Sequence, residues 1–193
     1  MVKIRIIPRA FFRRDPITCA RDLIGAELIW GKCAGKIVET EAYLAEGDEA
    51  AHTFTRPSTR AFVARNKPGA AYIYFSYGAH WMLNVLVKGG DADGFVLFRA
   101  VEPTSGIELM KKRRGTNDER NLFSGPGKLT QAFAITKRHD EMDLCVDPFH
   151  CFAKTGATAE VVADRRIGIT RSMHHPWRFT LAGSEFVSRR VKL

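Results

Sequence analysis

Residues 71–101 read AYIYFSYGAHWMLNVLVKGGDADGFVLFRAV, and this stretch decides the fold. Three runs, Ala71–Ser76, Trp81–Val87 and Phe95–Val101, are rich in the aromatic and β-branched residues that suit a pleated surface. Tyr77-Gly78 separates the first two, and Gly89–Gly94 (GGDADG) separates the second pair; both are turn signals. Strands so joined form an antiparallel meander. Upstream, Asp15-Pro16 starts a helix reaching about Ile24. Glu27–Trp30 and Lys36–Leu44 are predicted strands, joined by a turn from Gly31 to Gly35. Residues 45–70 are polar and irregular, a long loop or a short helix between loops. Thr104–Arg114 is predicted helical, and Ser124-Gly125-Pro126-Gly127 leads into a helix from about Lys128 to Ile135. Ala159–Thr170 and Trp177–Ala182 are expected as late strands packing back on the sheet. No repeat or linker divides the chain. The expectation is one α+β domain, residues 1–193, with a curved, mostly antiparallel, open-barrel-like sheet flanked by helices.

The bulk numbers set the class. The chain has 193 residues, 45% of them hydrophobic, which supports one packed core. Its formal charge is +9, concentrated in residues 1–21, in Lys111-Lys112-Arg113-Arg114 and in residues 165–193. That pattern favours a polyanionic partner, with nucleic acid first. The four cysteines form no Cys-x-x-Cys; Cys145 and Cys151 flank His150 only loosely, and buried free thiols in a reducing compartment are expected. No run of ~18 apolar residues points to a membrane. The expected location is cytoplasmic, with the nucleoid, in a prokaryote, and nuclear in a eukaryote. No P-loop is present, and no metal or other cofactor is expected.

Within this basic chain, Val38–His52 (VETEAYLAEGDEAAH) carries five carboxylates and no Lys or Arg. If residues 37–43 are extended, Glu39, Glu41 and Tyr43 share a face. A carboxylate beside an aromatic ring suits a base next to a stacking platform. Arg99 alternates with apolar residues in FVLFRAV, so a buried guanidinium needs an anionic partner, Glu41 or Glu39; the alternative is an edge arginine reaching solvent. Asn84 in WMLNVLV must spend its hydrogen bonds structurally or on a ligand. Tyr72 and Tyr74 share a strand face, either as core or as a platform. Tyr77 sits at a turn, where an aromatic invites burial in a partner and could wedge into a base stack. His52 follows the acidic run. Gly125–Lys128 could present amides and a charge to phosphate, or form a plain turn and cap.

These residues together resemble the alkyladenine (3-methyladenine) DNA glycosylases, the methylpurine DNA glycosylase type. The resemblance runs through GKIVETEAYL at 35–44, DEAAH at 48–52, KPGAAYIYFSYG at 67–78, LNV at 83–85, VLFRAVEP at 96–103, SGPGKLTQAFAI at 124–135, RIGI at 166–169 and WRF at 177–179. It implies base-excision repair: removal of damaged purines such as 3-methyladenine and hypoxanthine from double-stranded DNA by a monomer, without a lyase step. It implies Glu41 as general base for water, with Arg99 and His52 holding that water. It places Tyr43 on one face of the extruded purine and His52 with Tyr74 on the other. Asn84 borders the pocket against the amine of guanine, Tyr72 supports it, and Tyr77 fills the gap in the duplex. The chain departs from the family pattern at Thr53–Asn66, which puts loop contacts and lesion preference in question. The competing readings are a non-catalytic nucleic-acid-binding module and, with no recognised metal spacing, a metal hydrolase built on Glu39, Glu41, Asp48 and His52.

Overall fold

The computed structural model describes residues 5–76, 78–154, 156 and 159–190. Tyr77 therefore lies outside the described residues. Along the chain run α1 (Pro16–Asp22), β1 (Glu27–Trp30), β2 (Cys33–Leu44), α2 (His52–Thr55), α3 (Pro57–Arg65), β3 (Ala71–Ser76), β4 (His80–Val87), β5 (Gly94–Ser105), α4 (Ile107–Arg114), α5 (Pro126–Phe133), β6 (His150–Ala153), β7 (Val161–Asp164) and β8 (Arg178–Leu181). The strand order is β3-β4-β5-β2-β1-β6, and every pairing among these strands is antiparallel. β2 is the hub. β5 runs along nearly its whole length, while its other edge is shared: β1 takes Cys33–Lys36 and β8 takes Glu39–Glu41. The sheet forks there, with β7 outside β8, and curls into the half-barrel of an α+β domain.

Local chemistry sets several boundaries, and the structure departs from the expected elements at five places. Asp15 accepts a hydrogen bond from the Thr18 amide at 2.8 Å, and Pro16 opens α1 as expected. The β1–β2 turn is shorter than predicted, because Cys33, Ala34 and Gly35 belong to β2. Gly35 is needed for close approach instead: a Cβ there would lie 2.8 Å from Val101 Cγ2. The stretch 45–70 holds more helix than its polarity suggests. α3 buries Thr59, Phe62 and Val63, one narrow stripe on an otherwise solvated helix. β5 runs on to Ser105, so α4 starts only at Ile107, after Gly106 in the left-handed region at φ 73°. The late strands contract to four residues each, and β6 was not foreseen.

The core lies mainly on one face of the sheet. Ile73, Leu83, Val85, Val96 and Phe98 pack there with residues of α1 and α5, and Phe98 stacks on Phe152 with ring centroids 4.7 Å apart. The Thr40 hydroxyl donates to the Ala20 carbonyl at 2.8 Å and ties β2 to α1. The opposite face carries a smaller cluster of Phe62, Tyr72, Leu86 and Phe95, with Tyr74 against it.

The two faces exchange residues at one place. The β2–β5 register shifts on both sides of Glu39, so Val38 and Arg99 fall outside the paired positions. Such paired irregularities reverse the side-chain alternation. Ile37 and its partner Val101 accordingly join the main core, although plain alternation put Val101 on the same face as Arg99. Beyond the shift, Glu39, Glu41 and Tyr43 turn toward the second face.

Candidate active site

A single transverse row crosses the sheet on that second face. Tyr72 pairs with Asn84, Asn84 with Leu97, Leu97 with Glu41, and Glu41 with Arg178. Period-two alternation brings Tyr74, Met82, Phe95, Arg99 and Tyr43 in alongside. All of these except Glu41 and Arg178 form the floor of a cavity of about 300 Å³, lined also by His52, Ala50, Pro126 and the stretch Ile167-Gly168-Ile169. That volume is at the lower end for a small-molecule site.

Glu41 sits one layer behind the wall. It is fully buried. Its Oε1 accepts from the Ile167 amide at 2.7 Å, its Oε2 accepts from the Tyr43 hydroxyl at 2.8 Å, and Arg99 Nη1 lies 3.4 Å from Oε2. Tyr43, Ile167 and Arg99 all line the cavity. Burial pushes the Glu41 carboxyl above the usual carboxylate range, against the pull of Arg99 and the two hydrogen bonds. Burial, with Glu41 second, holds the Tyr43 phenol well above its ordinary value, so it stays a donor.

Arg99 resolves the choice left open by the sequence: it serves both carboxylates. Its Nε donates to Glu39 Oε1 at 2.9 Å while Nη1 faces Glu41. Burial opposes the charge, but Glu41 and Glu39 outweigh it and keep the guanidinium protonated. It lies on a central strand, 7% exposed, so the solvent-reaching alternative does not hold. Glu39 is also fully buried. It accepts from Arg178 Nε and the Ser188 hydroxyl, each at 2.8 Å, and from the Ser188 amide. Arg178 in turn reaches Asp164 at 3.0 Å. Buried charges are tolerated only when their remaining donors and acceptors are filled in this way.

The other wall is aromatic. His52 packs against Tyr74 with ring centroids 4.2 Å apart, and its Nδ1 lies 3.1 Å from the Tyr72 hydroxyl. Burial, then Arg56, pushes its pKa down from 6.5 to about 4, so the ring is neutral at physiological pH. Among the described residues no hydrogen bond links His52 to Glu41. Asn84 donates from Nδ2 to the Tyr72 carbonyl at 3.1 Å, which fixes its amide at the cavity edge. Tyr72 hydrogen-bonds the Thr59 hydroxyl at 3.0 Å and also packs in the smaller cluster, so it is both core and lining.

Sequence reasoning missed part of the wall. Ile167, Gly168 and Ile169 read as strand in the sequence but belong to a loop after β7. It also missed that Arg166 and Asp48 form a buried pair. Two charge clusters are less available to a polyanion than their composition suggests. Arg113 donates to the Ala132 carbonyl at 2.9 Å and Arg114 to the Leu122 carbonyl at 3.2 Å, holding α4 to the α5 region. Arg166 and Arg178 are buried in ion pairs. Lys128 turns to Ser124 Oγ at 2.8 Å, so Gly125–Lys128 acts as a turn and helix start. Arg56, Arg60 and Arg171 remain exposed, with Arg56 beside the cavity's aromatic wall.

Comparison with known proteins supplies the family. The profile of the methylpurine-DNA glycosylase (MPG) family matches residues 10–185. A protein of Rhodopseudomonas palustris strain BisB18 is 46% identical over 95% of this chain and 90% of its own length. One from Agrobacterium fabrum is 47% identical over 96% of this chain and 94% of its own length. One from Rhizobium meliloti is 46% identical over 93% and 95%. Each is provisionally named a 3-methyladenine DNA glycosylase. A match spanning nearly the whole chain, with the cavity and its carboxylates inside it, leads to one conclusion: this chain belongs to the methylpurine-DNA glycosylase family.

Proposed function

We propose that the protein extrudes a damaged purine from duplex DNA into this cavity and hydrolyses its N-glycosidic bond, leaving an abasic site. Family membership makes DNA the substrate and the N-glycosidic bond the reacting bond. The finer reading covers 3-methyladenine and hypoxanthine as substrates, action as a monomer and no strand-cleaving step. The observation that carries it is Glu41: a buried carboxylate held directly behind Tyr43, Arg99 and Ile167, all of which line the cavity.

A base within a duplex is out of reach, so extrusion must come first, at a cost of a few kcal/mol of unstacking. Stacking on aromatic rings returns about 1–3 kcal/mol per base. Tyr43 on one side, with His52 and Tyr74 on the other, supplies such rings in this reading. Tyr77, between β3 and β4 in the chain, fills the space left behind. As the bond from C1′ to the purine nitrogen breaks, its electron pair leaves with the base and positive charge builds on the sugar. Glu41 stabilises that charge and takes the proton of the water that attacks C1′. Arg99, shared with Glu39, keeps Glu41 ionised and oriented. A purine that is already cationic leaves as a neutral base. Hypoxanthine, being neutral, must gain a proton as it leaves. In this reading Asn84, whose Nδ2 donates to the Tyr72 carbonyl, disfavours the guanine amine. No lysine lines the cavity among the described residues, which supports hydrolysis without a Schiff base.

The test is to incubate the protein, without added metal, with duplexes bearing one hypoxanthine or one methylated purine. Free base and an abasic site are expected. DNA that is bound but never loses its base would instead mark a non-catalytic binding module.

A further inference from the structure

The Arg166 side chain is fully buried and forms its ion pair with Asp48 rather than with Glu39 or Glu41. Its Nη1 and Nη2 donate to Asp48 Oδ2 and Oδ1 at 2.6 and 2.9 Å, and also to the Ala42 and Ser172 carbonyls at 3.0 and 3.3 Å. Both side chains of the pair are wholly shielded from solvent. The guanidinium lies over the Tyr43 ring at 4.6 Å and over the Trp177 ring at 5.0 Å. Tyr43 lines the cavity and Arg166 does not, so the cation sits behind the aromatic wall.

A buried ion pair is a poor way to gain stability, since apolar side chains of similar volume often serve better. This pair is bidentate, a contact that arginine's fork provides and lysine does not. The position has an electrostatic consequence. A lone cation behind Tyr43 would oppose any positive charge stacked on the cavity side of that ring. Asp48 cancels it at hydrogen-bond distance. We infer that the Asp48–Arg166 pair determines substrate range: it braces Tyr43 with a rigid, net-neutral group, so that the slot accepts positively charged alkylpurines as well as neutral ones. The inference rests on the proposed excision activity and adds positioning residues that act through Tyr43 without touching the substrate.

The experiment first checks that wild-type protein releases both bases. It then measures equilibrium binding of Glu41→Gln protein, which holds the base without releasing it, to two duplexes, one carrying 3-methyladenine (a cation) and one carrying hypoxanthine (neutral); each further variant is made in that background. Asp48→Asn leaves Arg166 uncompensated and should lower the cation-to-neutral affinity ratio about thirtyfold, the scale of one charge about 8 Å away at an effective dielectric of about 20. Arg166→Gln leaves Asp48 uncompensated and should raise the ratio. Arg166→Lys keeps the charge and loses the fork, so both affinities fall together. The double variant Asp48→Asn/Arg166→Gln should return the ratio to within about twofold of the starting protein, because neutrality is restored. A purely structural role lowers both affinities alike in every variant, and that result overturns the inference. If Asp48→Asn does not fold, the direction of the Arg166→Gln shift decides. Wild-type protein releasing neither base would sink the excision reading and this inference with it; wild-type release with a flat ratio across variants sinks only the inference.

Discussion

Ser188 gives two hydrogen bonds to Glu39, one from its amide and one, at 2.8 Å, from its hydroxyl. A late segment of the chain thus completes the polar shell of a buried carboxylate on β2. Ser188→Ala keeps the amide bond and should cost about 1–3 kcal/mol, the range for stripping one bond from a buried charged group. Glu39→Gln leaves Arg99 and Arg178 without their shared anion and should cost about 3–5 kcal/mol. Urea unfolding measures both; a Glu39→Gln protein as stable as wild type would show that the network is not a unit.

Glu41→Gln should keep affinity for lesion DNA and lose excision by ~10²–10⁴-fold or more. The pH profile gives a second check. Burial raises the Glu41 carboxyl, so the base form is lost on acidification at a pH above the ordinary ~4.3 of a glutamate. An acid limb at or below that value would contradict the assignment of Glu41 as the base.

His52 predicts a separate pH effect, on stability. Its folded pKa of about 4 lies below the ordinary 6.5. Between those values the unfolded chain binds a proton that the folded protein refuses, so stability falls as pH drops through the window and levels off below it. His52→Gln should flatten that slope. Native-state NMR showing His52 titrating near its ordinary pKa would refute the neutral buried imidazole.

Gly94 makes a purely steric case. A Cβ at this position would fall 2.1 Å from the Tyr43 carbonyl oxygen and 2.8 Å from Pro16 Cγ. Backbone cannot yield as a flexible side chain can. Gly94→Ala should destabilise by about 1–3 kcal/mol or more and shift Tyr43, lowering activity along with the melting temperature. Unchanged melting would mean that β2 and β5 can separate there freely.

Tyr77→Ala should weaken binding to lesion duplexes and slow excision while leaving thermal unfolding alone. Equal activity on duplex DNA would remove the wedge role.

The meander of β3, β4 and β5 was legible because aromatic and β-branched runs alternate with Gly-rich turns, a local signal. So was the shared face of Glu39, Glu41 and Tyr43. The reversal at Val38 and Arg99 was not, because both faces of β5 are buried and Val96, Phe98 and Ala100 look no more inward than Phe95 and Leu97. Nor was the fate of the arginines. Composition counts Arg166 and Arg178 with the surface charge, and only tertiary pairing with Asp48 and Glu39 takes them inside. The loop Ile167-Gly168-Ile169 was invisible as wall, since apolar residues after a strand read as more strand.

The forked pairing of β2 bears on synthesis. Glu39, Thr40 and Glu41 have β5 on one side and β8 on the other, and Glu39 meets Arg178 across 139 residues. Domains emerge from the ribosome amino terminus first, at roughly 5–20 residues per second. For a time on the order of ten seconds the acidic strand must wait with one edge bare, and the hydrolytic apparatus cannot assemble on a nascent chain that has not yet delivered its final strand.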